Sequence, residues 1–73
     1  MMDEMLSQMP GLISEEAQDA MKYANLALQH QADHPEAAAL FMELSSDELS
    51  HMRRISDMLA GMVDKLHAQY NGA

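Results

Sequence analysis

Two long runs of helix-forming residues, a proline-centred turn between them and the lack of any strand pattern predict an all-α chain. The expected architecture is an antiparallel two-helix hairpin that dimerises into a four-helix bundle. With 73 residues there is room for one small domain, residues 1–73, and for only a thin core within one copy. Such scaffolds usually need disulfides, a metal or self-association. Cysteine is absent, so metal and self-association remain.

Pro10-Gly11 punctuates the chain early, and residues 1–11 are expected to form an N-terminal arm or short helix. Residues 12–32 are rich in Ala, Leu and Met with no internal Gly or Pro, which predicts helix 1. The stretch "ADHPE" closes it, because a residue before proline is pushed away from helical angles. Pro35 suits the first turn of a new helix, and Asp33 and Glu36 favour its N-terminal end. Helix 2 is predicted over 35–69, passing Gly61 at some cost and fraying at "NGA". The second arm is longer, so Met58, Leu59, Met62, Val63 and Leu66 require cover from the residues before Pro10 or from another chain.

The formal net charge of -8 argues against nucleic acid and anionic membranes as partners, since only Lys22, Arg53, Arg54 and Lys65 are basic. Cations are the expected small partners. The opening "MMDEMLSQMP" has neither a basic n-region nor an unbroken apolar run, which points to a cytoplasmic protein without a membrane span.

At 3.6 residues per turn, helix 2 gathers Phe41, Leu44, Met52, Ile55, Leu59, Met62 and Leu66 on one arc, with Ser46, Ser50, Arg53, Asp57 and Asp64 opposite. Glu48 falls near the middle of the apolar arc, and His51 lies one turn along toward its edge. Helix 1 has Leu12, Ile13, Ala20, Tyr23, Ala24, Leu26 and Ala27 on its inner face with Glu16 among them, while Glu15 falls outside. Counted outward from the turn, Glu16 and the Glu48/His51 pair come at nearly equal distance, so an antiparallel hairpin brings them together. A bare carboxylate removed from water costs several kcal/mol unless it is paired, protonated or metal-bound. The four basic residues map to outer or boundary positions, so a cation is the simplest partner. One hairpin offers two carboxylates and one imidazole. Two hairpins offer four and two, the ligand inventory of di-iron carboxylate bundles.

These residues resemble the ferritin-like superfamily of di-iron carboxylate proteins. Glu16 with Tyr23, in "EAQDAMKY", and Glu48 with His51, in "ELSH", carry the likeness over roughly Leu12 to Leu66. The separation of the first Glu from the Glu-x-x-His looks like that of bacterioferritins and rubrerythrins, and the half-length chain is most similar to the two-helix encapsulated-ferritin type. The resemblance implies Glu48 as a bridging carboxylate, Glu16 as a terminal one, His51 as the nitrogen ligand and Tyr23 as a hydrogen-bond partner to the ligands. It further implies two irons per dimer, ferroxidase-type oxidation of Fe2+ by dioxygen or peroxide, and a homodimer or larger homo-oligomer. Iron storage inside an encapsulin nanocompartment belongs to the same pattern, although "YNGA" lacks a Leu-rich docking end and no cysteine-bearing domain is present for electron delivery.

Blander readings stand beside these. Glu-x-x-His is a weak motif alone, and "SEEA" is also a plain helix start with Ser14 as its cap. Tyr23 fits a core aromatic with a wet hydroxyl. His30 and His34, four apart, make a possible second metal site at the turn, though a polar helix end is the commoner case. Met1, Met2, Met5 and Met9 raise a copper(I) reading against the usual gap-filling role of Met. Manganese or zinc in place of iron, and a metal-free acidic helical module that pairs with itself or a partner helix, are the remaining alternatives.

Overall fold

The computed structural model describes residues 2–72, with side-chain surroundings described for 4–70. Helix α1 spans Met2–His30 and helix α2 spans Pro35–Gly72. They pack antiparallel along their shared length, giving a rod of 61 × 16 × 13 Å. The all-α hairpin expected from the sequence is the fold observed.

The turn is pinned at both ends by backbone hydrogen bonds. His34 N–H donates to the His30 carbonyl at 2.8 Å, and the His34 carbonyl accepts from Ala38 N–H at 2.9 Å. His34 thus closes α1 and opens α2, where Pro35 has no N–H to leave unpaired and Glu36 faces the positive end of the helix dipole.

Register follows from one contact in the middle of the rod. Ser45 Oγ donates to the Ala20 carbonyl at 2.6 Å, and both residues are buried. A side chain reaches a backbone carbonyl of the facing helix only when the two helices lie close together. Ala20, Ala27 and Ala38, all buried, permit that approach because they carry nothing beyond a methyl group. Ser45 lies seven positions before Met52 and therefore on the apolar arc of α2, which is the signal that turns it inward.

The boundary expected at Pro10-Gly11 is not there, because α1 runs straight through it. Proline inside a helix forfeits the hydrogen bond to residue i−4, here the Leu6 carbonyl, at a cost of about 3 kcal/mol. Burial offsets it. Met9 is only 3% exposed and Leu6 is half-buried, and counting outward from the Ser45–Ala20 contact sets both opposite roughly the Ser56–Leu59 stretch of α2. The segment before Pro10 therefore covers part of the long arm, as one of the two expected solutions required. At its far end α2 remains helical through Gly72, past the fraying expected at "NGA", of which Ala73 lies outside the described residues. Met5 is exposed while Met9 is core; the side chains of Met1 and Met2 lie outside the described ones.

The core is thin. Among the described residues the buried hydrophobic ones are Met9, Ala20, Ala27 and Ala38, and no large side chain is fully enclosed. Phe41, Leu44, Met52, Ile55, Leu59, Met62 and Leu66, the predicted inner arc of α2, are all half-buried. Leu12, Met21, Leu28, Leu40, Met42 and Met58 are exposed. No helix among the described residues is long and apolar enough to cross a membrane.

Candidate metal centre

Glu16 on α1 and Glu48 and His51 on α2 meet about one helical turn from the Ser45–Ala20 contact, on the side of the rod away from the turn. Their position follows from the register: with Ala20 beside Ser45, the next turn of α1 sets Glu16 against the Glu48–His51 segment. His51 Nδ1 lies 3.2 Å from Glu16 Oε2 and 3.4 Å from Glu48 Oε1. One donor atom from each of the three falls within 4.8 Å of the others. The spacing of Glu48 and His51 (i, i+3) puts both on one face, and the hairpin adds Glu16 from 35 positions away.

The two carboxylates are largely shielded, with side chains 26% and 20% exposed for Glu16 and Glu48, whereas His51 is 51% exposed. Beside His51 an open groove of about 370 Å³ is lined by Arg54, Ile55 and Met58. The cluster thus faces outward onto an apolar surface of the hairpin.

Electrostatically the site holds an excess of negative charge. The carboxyl of Glu48 titrates above its ordinary value of 4.5, first because it shares a hydrogen bond with Glu16 and then because burial and the Glu16 charge disfavour its ionised form. Asp19 adds to the rise, and His51 opposes it. Among the described residues no lysine or arginine forms an ion pair with either glutamate; the carboxylates' only ionic partner is His51. Two neighbouring carboxylates with an imidazole nitrogen between them form a donor set suited to a divalent cation. Mixed oxygen and nitrogen donors fit iron, manganese or zinc. Three donors leave the coordination shell of a transition ion incomplete within one chain.

Tyr23 is placed elsewhere. Its ring stacks on Phe41, with centroids 6.3 Å apart and an 18° interplanar angle, and Lys22 Nζ lies 6.0 Å from the ring centre. Within the hairpin its hydroxyl makes no hydrogen bond to the cluster among the described residues. Glu15, on the outer side of α1, is exposed.

A family model described as Rubrerythrin matches residues 12–72. No curated protein and no solved structure matches the chain.

Proposed function

The chain belongs to the rubrerythrin family, which implies a di-iron carboxylate protein, and on that premise we propose that two hairpins pair to complete a site that oxidises ferrous iron. The convergence of Glu16, Glu48 and His51 on an apolar face, with no lysine or arginine paired to the carboxylates among the described residues, carries this reading. Pairing through that face doubles the donors to four carboxylates and two imidazoles, enough for two irons per dimer.

The surface area supports a pair. The chain exposes 5601 Å². A compact monomer of its 8.1 kDa mass is expected to expose roughly 4,500 Å². The excess of roughly 1,100 Å² is comparable to the ~800 Å² that each partner contributes to a stable interface.

Each residue has a defined task. Glu16 and Glu48 supply the negative charge that draws in the cation. His51, in its neutral form, presents Nδ1 at the junction between them. Iron, when bound, supplies the redox chemistry by which ferrous iron gives electrons to dioxygen or peroxide. The apolar side chains of the paired faces, Leu44, Ile55 and Met62 among them, keep water from the carboxylates. Tyr23 is assigned, by its place two turns from Glu16 on the same helix, as a hydrogen-bond donor to ligands across the interface.

Ferrous iron added to the purified chain should double its mass in solution, raise its melting temperature and be oxidised faster than in buffer. At an iron concentration a hundredfold above Kd the stabilisation is about 2.7 kcal/mol. Glu48→Ala should abolish all three responses. An unchanged mass, melting temperature and oxidation rate on adding iron would instead favour a metal-free helical module.

A further inference from the structure

The hairpin turn carries a second set of metal-ligating side chains that the proposed iron chemistry does not use. His30, Asp33 and His34 each bring one donor atom to within 4.8 Å of the other two. His30 Nδ1 lies 3.5 Å from Asp33 Oδ1, and His34 Nε2 lies 3.7 Å from Asp33 Oδ2. The carboxylate thus sits between two imidazoles, whose rings are 5.7 Å apart and tilted by 44°.

Three observations separate this group from an ordinary polar helix end. The donors come from a five-residue stretch whose backbone is fixed on both sides, by the His34–His30 and Ala38–His34 hydrogen bonds. His30 Nδ1 is buried and makes no hydrogen bond among the described residues, Asp33 Oδ1 lying 3.5 Å away, although the histidine itself is only half-covered. No lysine or arginine pairs with Asp33 among the described residues; its ionic partners are the two histidines. A buried nitrogen left without a hydrogen bond is disfavoured, and a cation held between His30 and Asp33 would satisfy it.

We propose that His30, Asp33 and His34 form a binding site for a divalent cation of the zinc class, which clamps the turn by tying the end of α1 to the start of α2. Two neutral imidazoles and one carboxylate are donors of the borderline kind that zinc takes, with a fourth position left for water. In a tetrahedral zinc site with bonds of about 2.0–2.1 Å, neighbouring donors are about 3.3–3.4 Å apart. The two separations at Asp33, made to its two different oxygens, exceed this by a few tenths of an ångström, and all three donors lie within 4.8 Å of one another. His34 and Asp33 are exposed enough to close it by side-chain rotation, their side chains being 68% and 60% accessible. Along α2 the turn lies about 20 Å from Glu48, so the two sites fill independently.

The test separates this site from the one at Glu48. A chain carrying Glu48→Ala and His51→Ala, with its helical content checked by circular dichroism, is titrated calorimetrically with zinc chloride. One zinc per chain and a rise in melting temperature are expected, and cobalt(II) in place of zinc should give the visible absorption of a four-coordinate ion. Adding His34→Ala should weaken binding by at least about 100-fold, since loss of a mere supporting contact to a ligand already costs ~10–100-fold. In the unmodified chain, zinc should shift the imidazole resonances of His30 and His34 and leave those of the distant His67 in place. Absence of zinc binding in the double variant, binding undiminished by His34→Ala, or unshifted His30 and His34 resonances would each overturn the proposal. The iron response of His30→Ala/His34→Ala should be unchanged, so failure at the turn and failure at Glu48 are distinguishable.

Discussion

Two groups of imidazoles and carboxylates lie about 20 Å apart along the hairpin, and they are assembled in different ways. Glu16, Glu48 and His51 are joined across 35 positions of sequence and depend on the spacing of two helices. His30, Asp33 and His34 come from one turn, where two backbone hydrogen bonds fix them wherever the rest of the rod sits. The first group has two largely shielded carboxylates side by side, with Glu48 titrating above its ordinary value; the second is open and has one carboxylate between two imidazoles. A site built from distant positions can be buried and completed by a second chain, but it is only as precise as the packing beneath it. A local site tolerates disturbance of the packing and stays exposed.

The contrast can be broken most strongly at the closest approach of the helices. Ala20→Leu places a large side chain where a methyl group now fits, and overpacking of this kind costs about 1–3 kcal/mol. Iron-linked stabilisation should fall with it, while zinc binding at the turn should persist; both are read from melting temperatures with and without each metal. Loss of both responses together would show that the turn is not independent of the rod.

A gentler version removes only the register contact. Ser45→Ala deletes the hydrogen bond to the Ala20 carbonyl and should cost about 0.5–1.5 kcal/mol by chemical denaturation. Iron affinity should weaken modestly and the turn should again be unaffected.

The smallest effect is one of pH. Because the folded-state pKa of Glu48 is raised above 4.5, its protonated form favours folding. That contribution is present in full below 4.5 and is lost as pH rises through the raised value. Metal-free protein should therefore lose stability across this window relative to Glu48→Gln, whose side chain does not titrate. With excess iron the trend should reverse, because the cation binds the ionised carboxylates. Melting curves of both chains at a series of pH values, with and without iron, check the two signs.

Much of this was legible in the amino-acid order because helical periodicity is local. The 3.6-residue repeat puts Glu48 and His51 on one face, and the short connection through Pro35 forces antiparallel neighbours. Counting from that turn sets Glu16 opposite them, which is where the structure places it. The i, i+4 spacing of His30 and His34 was equally visible, but the part played by Asp33 was not. The same residue reads as a favourable charge at a helix start, and only the folded turn aims its two oxygens at the two rings.

The sequence by itself determined the two helices, their antiparallel pairing and the apolar face interrupted by Glu48, since each follows from short-range spacing and turn chemistry. Tertiary structure decided the rest. Pro10 reads locally as a break, yet the helix continues because Met9 gains a buried place against α2 that offsets the missing hydrogen bond. Ser45 falls on the apolar arc, but its hydrogen bond forms because the alanines opposite bring a backbone carbonyl within its reach. Tyr23 is drawn to Phe41 across the interface. In each case the outcome depends on what the facing helix presents, which residue spacing along one helix does not encode.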